Sequence, residues 1–168
     1  MEAMARPVPE ELANDFATFF DAGYDTLLRA MYLMTGDRYE AEELAQDTMV
    51  KACERWDRVR AMENPIGYLY RTAVNAHRSR LRRAGLTARR VLSLQRSDPI
   101  SASDDRDEIR RALAILSETQ REAVVLVEWL GLTDVEAGEV LGVSAVAVRV
   151  RLSRARTALG ISTERAPA

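Results

Sequence analysis

The stretch LTDVEAGEVLGVSAVAVRVRLSRARTAL, residues 132–159, divides into two short helices around a glycine turn. Thr133 is placed to cap the first helix, whose apolar side is Val135, Val140 and Leu141. Gly142 ends it, because glycine enters the left-handed conformation at little cost. Ser144 then caps a second helix on which Val148, Leu152, Ala155 and Leu159 recur at the spacing of one buried stripe. Gly138, four residues before Gly142, has no side chain to hold the two helices apart. Together these features make a helix-turn-helix pattern.

The second helix carries Arg149, Arg151, Arg154 and Arg156. A guanidinium fork matches two phosphate oxygens, or the O6 and N7 atoms of guanine, so duplex DNA is the ligand this helix suits. A solvated basic face on a protein-binding helical hairpin is the alternative.

Composition narrows the rest. The chain has 168 residues, 47% hydrophobic and 30% charged, which fits one or two small soluble domains. It lacks an apolar run long enough to span a bilayer and a signal-peptide core, so a cytoplasmic protein without membrane insertion is expected. One cysteine, Cys53, and one histidine, His77, allow no disulfide framework and no zinc cluster; both read as packing residues, and no cofactor or metal is expected. No phosphate-cradling glycine loop or nucleophile motif points to an enzyme.

The net charge of −2 hides a segmented distribution. Residues 63–96 hold 8 basic groups and 1 acidic, and residues 149–168 hold 5 and 1, whereas 1–62 and 97–148 are acidic. Nucleic acid is therefore expected at two places, with acidic surfaces between them for other proteins.

Upstream, Phe16, Phe19, Phe20, Tyr24, Leu27, Leu28, Met31 and Tyr32 predict an amphipathic helix ending near Gly36. Asp37 caps the next, with Ala41, Leu44, Ala45, Thr48 and Ala52 as a narrow inner stripe and Glu42, Glu43, Gln46 and Asp47 outside it. Those acids suit either a docking face or a solvated one. Met49, Cys53 and Trp56 form a row beside them that reads as core. WDRVRAMEN, 56–64, has no period and reads as a loop. Asn64 and Pro65 are a cap and first-turn pair opening a helix to about Arg83. It turns Ile66, Leu69, Tyr70, Ala73, Val74, His77 and Leu81 inward, and Tyr68, Arg71, Thr72, Asn75, Ser79 and Arg82 outward. An aromatic, cations and an amide in one row suit stacking on an unpaired base, although a plain surface helix shows such residues too. Residues 84–107 read as a linker; Ile109, Leu113 and Leu116 begin another helix; and Ser117 caps one from Glu118 to Leu130 with Ala123, Val124, Val127 and Leu130 inward.

The expected fold is all-α: two small helical domains joined by a linker, the C-terminal one a helix-turn-helix. Three strings, EAEELAQDTMVKACERW (40–56), NPIGYLYRTAVNAHRSRLRR (64–83) and LSETQREAVVLVEWLGLTDVEAGEVLGVSAVAVRVRLSRAR (116–156), occur in an order and spacing that resembles a group IV (extracytoplasmic function, ECF) RNA polymerase sigma factor of the sigma-70 family. The resemblance implies a leader at 1–15, a region 2-like domain at 16–83, the linker at 84–107, a region 4-like domain at 108–159 and a tail at 160–168. It implies that Glu43, Gln46 and Asp47 dock on the β′ clamp helices of core RNA polymerase, with a further contact to the β flap. It places Arg60, Met62, Asn64, Tyr68, Arg71, Asn75 and Arg82 on the melted −10 strand, and Ser144, Ala145, Arg149, Arg151 and Arg154 on the duplex −35 element. An anti-sigma factor is an implied partner. A helix-turn-helix regulator that binds duplex DNA without polymerase is the alternative function. The chain departs from the family where it has Val146 and Ala147 in place of a frequent Gly-Thr pair, Ala137 and Gly138 in place of Ile-Ala, Met49 for an aromatic and Ser117 for proline.

Overall fold

A computed structural model of the chain describes residues 15–85 and 104–161, and every regular element among them is helical. The predicted leader up to residue 14, the linker stretch 86–103 and residues 162–168 lie outside the described residues. Four helices form the N-terminal unit: α1 (Phe16–Thr35), α2 (Arg38–Glu54), the single turn α3 (Trp56–Val59) and α4 (Pro65–Ala84). The C-terminal unit holds α5 (Asp104–Ile115), α6 (Glu118–Val124), a π turn (Val125–Trp129), α7 (Asp134–Leu141) and α8 (Ala145–Ala158).

Local chemistry sets the boundaries. Asp37 accepts from the Glu40 N–H at 3.1 Å to start α2, and Asn64 Oδ1 accepts from the Gly67 N–H at 2.8 Å to start α4. Reciprocal capping boxes, Ser117 with Gln120 and Thr133 with Glu136, start α6 and α7. Gly36 and Gly142 end α1 and α7 at φ of 70° and 69°.

Four expectations need correction. Val135 is 59% exposed, because it lies on α7 opposite the buried Ala137, Gly138, Val140 and Leu141. Cys53 is exposed, about 100° around α2 from the centre of its buried stripe, whereas Met49 is buried and Trp56 half-buried. The stretch expected to be a loop includes the helical turn α3, with Val59 buried. In the helix after Ser117, Val125 and Leu126 are buried while Val124 and Val127 are only half-buried. The π turn inserts extra residues into the turn and so rotates the inner stripe away from the regular 3.6-residue count.

The two units share one apolar core. Phe19, Leu27, Met31, Leu44, Leu69 and Val74 belong to the same buried cluster as Leu113, Leu126, Leu141, Val148 and Leu152. Helix α4 packs on α7, and α1 packs on the π turn. Polar groups close the seam. Arg78 of α4 donates through Nε and Nη2 to the two oxygens of Glu122 on α6, at 2.8 and 2.6 Å, and through Nη1 to the Leu141 carbonyl at 3.1 Å. Arg121 donates to three carbonyls at 2.9–3.0 Å: Met34 near the end of α1, and Leu113 and Leu116 at the end of α5. Carbonyls at helix ends lack their usual partner four residues on, so one guanidinium ties the ends of α1 and α5 together, adding to the bond that the Leu113 carbonyl already accepts from the Leu116 N–H.

His77 lies in the same seam, buried, with Nδ1 3.8 Å from Glu40 of α2 and Nε2 3.5 Å from Glu118 of α6. Burial lowers its pKa, but the carboxylates of Glu118 and Glu40 outweigh burial and raise it above the ordinary 6.5. A proton held more tightly in the folded chain contributes stability that is fully present below the unfolded pKa and is lost as pH rises through the folded pKa. Denaturant unfolding is therefore expected to show stability falling from about pH 6.5 upward, with a flatter profile for His77→Gln. Superimposable pH profiles for the parent and the variant would show that His77 makes no such contribution.

Candidate nucleic-acid and protein-docking sites

Helix α8 is held by Val148, Leu152 and Ala155, all buried against the rest of the C-terminal unit. Ser144 caps it, accepting from the Ala147 N–H at 3.1 Å. Of the arginines predicted to meet DNA, Arg149 and Arg154 are exposed. Arg149 rests 3.4 Å from Asp134, a solvent-facing pair that is worth roughly 0–1 kcal/mol and readily exchanges for a phosphate. Arg151 is half-buried, and its Nη1 is enclosed without a hydrogen-bond partner among the described residues. Ser144 and Ala145 sit at the helix start, Ser144 exposed and Ala145 half-buried.

A second site forms where α3 meets α4. Met62, Tyr68, Arg71 and Asn75, four of the residues placed on the −10 strand, line one cavity of about 300 Å³. Arg55, Arg58, Val59 and Thr72 complete it; sequence reasoning missed Arg58 because its segment was read as a loop, and Arg55 because it stands at the end of the preceding helix with no partner row. That volume is at the lower end for small-molecule pockets, a size that suits one planar base. Tyr68 is half-buried, while Arg71 and Asn75 are exposed. Arg60, Asn64 and Arg82 do not line the cavity. Arg60 pairs with Asp57 at 2.9 Å, Asn64 is engaged in capping α4, and Arg82 lies two turns beyond Asn75.

Arg71 also borders a wider cleft of about 510 Å³ whose other wall is the helix-turn-helix: Gly138, Glu139, Gly142, Val143, Ser144 and Ala145. The two basic sites therefore meet across the seam between the units.

Glu43, Gln46 and Asp47 are all exposed on α2. Arg80 of α4 reaches across to the two acids, 3.0 Å from Glu43 and 2.8 Å from Asp47, so the predicted docking acids already hold a cation. Both carboxylates are largely solvated, so this pairing is a weak one that another cation can replace. Among the described residues, no group of three or more His, Cys, Asp or Glu is arranged to hold a metal ion, and no helix is long and apolar enough to cross a membrane.

The family model of sigma-70 region 2 matches residues 19–87, and that of sigma-70 region 4 matches residues 106–159. The ECF RNA polymerase sigma factor SigM of Mycobacterium tuberculosis is 30% identical over 148 residues, covering 86% of this chain and 74% of that one. The chain belongs to the ECF group of the sigma-70 family. As a sigma factor it directs RNA polymerase to specific promoters. The RNA polymerase sigma-E factor of Streptomyces avermitilis is 27% identical over 144 residues, covering 84% of this chain and 80% of that one. Among solved structures, the sigma factor RpoE of Bartonella quintana, co-crystallised with the anti-sigma factor NepR, aligns over 90% of this chain and 99% of its own with a TM-score of 0.71 and 25% identity.

Proposed function

We propose that this sigma factor takes one unpaired base of the −10 element into the cavity between α3 and α4, where Tyr68 stacks on it and Asn75 hydrogen-bonds its edge. Arg55, Arg58 and Arg71 hold the adjoining phosphates, and Met62 closes the apolar side. The observation that carries this assignment is the convergence of an aromatic, an amide and three arginines on a cavity of base size. Extruding a base costs a few kcal/mol, and stacking returns about 1–3 kcal/mol per base, so melting and recognition are coupled. Arg60, Asn64 and Arg82 guide the strand at the margins. Helix α8 lies in the −35 major groove with Ser144, Ala145, Arg149 and Arg154 toward DNA, and with Arg151, half-buried, set back beside the protein body. Glu43, Gln46 and Asp47 dock on the β′ clamp helices, whose cations displace Arg80, and a further contact is made with the β flap. The protein has no catalytic activity of its own and works in the cytoplasm. Its partners include an anti-sigma factor, a reading supported by the likeness to a sigma factor crystallised with one. We assign the two domains to 16–83 and 108–159, with helix α5 of the second beginning upstream at Asp104, inside the stretch 84–107 expected to link them.

The test is run with core RNA polymerase. Tyr68→Ala combined with Asn75→Ala is expected to reduce open-complex formation on a duplex promoter at least about tenfold, and to reduce use of a template pre-melted at −10 much less. Asp47→Arg is the control that loses core binding and so fails on both templates. Equal loss on both templates with core binding intact would sink the base-pocket assignment.

A further inference from the structure

The outermost line of the recognition helix is apolar. At about 100° per residue, the buried line of Val148, Leu152 and Ala155 lies opposite a ridge formed by Val146, Val150 and Ser153. Val146 is 60% exposed and Val150 42% exposed among the described residues. Arg149 lies about 80° to one side of this ridge and Arg154 about 60° to the other, while Arg151 is about 120° round, against the protein body. The exposed arginines therefore flank the ridge and do not form its crest.

A B-form major groove is about 12 Å wide, which admits one α-helix with its crest against the base edges and its flanks against the two phosphate walls. Charge complementarity fixes what covers these valines: a cation stands on each side of them, spaced as the walls of a groove require. The apolar groups on the floor of that groove are the C5 methyls of thymine.

We propose that Val146 and Val150 are specificity-determining residues that read thymine methyls in the −35 element, while Arg149 and Arg154 grip phosphates on opposite walls of the groove. This rests on the assignment of α8 to the −35 duplex and divides its residues between base reading and backbone positioning. Valine has no hydrogen-bonding group, so its discrimination comes from burying a methyl, and a wrong base loses that burial without leaving a polar group unpaired. The preference at these positions is accordingly modest and of the same kind for either valine.

Holoenzyme assembled from core polymerase and the full chain is used to select promoter duplexes from a library randomised across the −35 segment. Each thymine in the selected segment is then replaced by deoxyuridine, which removes only the methyl. At two positions the replacement is expected to weaken binding about fourfold, the equivalent of one buried methyl group of about 0.8 kcal/mol. Val146→Ala abolishes the penalty at one of these positions and Val150→Ala at the other. Arg149→Ala and Arg154→Ala weaken all sequences alike and each lower the salt slope by about one. Selection of segments without thymine, or deoxyuridine penalties unchanged in both valine variants, overturns the proposal, as it would if the valines were covered by a protein partner. Failure of the underlying −35 assignment is distinguishable: no sequence is then enriched upstream, and the arginine variants keep the parent salt slope.

Discussion

Replacing Arg78 by alanine is expected to cost about 3–5 kcal/mol in denaturant unfolding, more than replacing its partner Glu122, because the two ends of this ion pair are not equally buried. Glu122 is 2% exposed, whereas the Arg78 side chain keeps 26%. Removing Arg78 leaves a carboxylate enclosed without its counter-charge and also leaves the Leu141 carbonyl without its donor. Removing Glu122 leaves a guanidinium that still donates to Leu141 and can reach water, so its cost is nearer 2 kcal/mol. Equal destabilisation by the two substitutions would show that the seam does not hold the carboxylate out of water.

The partners lie on different units, so the Arg78→Ala chain has a second way to hydrate Glu122: α4 can part from α6 and α7. Small-angle scattering is expected to show a larger radius of gyration for this variant than for the parent. That opening bears on function. The cavity and the start of α8 meet at Arg71, whereas elements named −10 and −35 stand on the order of 80 Å apart along duplex at ~3.4 Å per pair. On the proposed assignment of the cavity to −10 and of α8 to −35, reading both at once requires the seam to open, and the Arg78 to Glu122 pair is part of what opening must break.

The sequence made the helix starts legible because each is determined within four residues. Asp37, Asn64, Thr133 and Ser144 cap helices in the structure where they were expected to, and Gly36 and Gly142 end them. What was not legible depends on distance or on a break in period. Glu122 sits four residues into α6 with nothing local to mark it as buried; its partner is 44 residues away. Val135 looked inward because it is apolar, but an eight-residue helix buries one narrow face, and that face is set by the small pair Ala137 and Gly138. The π turn defeated the inner stripe after Ser117 for the same reason, since a 3.6-residue count cannot anticipate inserted residues. At the cavity, Tyr68, Arg71 and Asn75 were visible as one row on a long helix. Arg58 was not, because the four-residue turn Trp56–Val59 is too short to display a period, and Arg55 was not, because it caps the junction between α2 and that turn. Their spacing of three, beside the apolar Val59, was the available signal.

Gly138→Leu is expected to cost about 3 kcal/mol, at the upper end of overpacking penalties, and to remove −35 preference. The reason is the turn between α7 and α8. The Gly138 carbonyl accepts from the Val143 N–H at 2.9 Å, and a Cβ on Gly138 would stand 2.7 Å from the Val143 carbonyl oxygen and 3.4 Å from the Ala145 nitrogen. Those neighbours are backbone, so they cannot turn aside as a side chain would. A methyl group demands a shift of the turn, and a leucine side chain demands that α7 and α8 separate. Gly142 is a glycine for another reason: a Cβ there meets nothing within 4 Å, but its φ is +69°. Gly142→Ala should therefore cost only about 1 kcal/mol and leave the approach of the two helices intact. Ser144 and the Val146 to Arg154 face are aimed by that approach, so the Gly138→Leu holoenzyme should still bind core polymerase through α2 while losing its choice among −35 sequences. A Gly138→Leu chain that melts like the parent and keeps its −35 preference would show that the close crossing of α7 and α8 is not what orients the recognition helix.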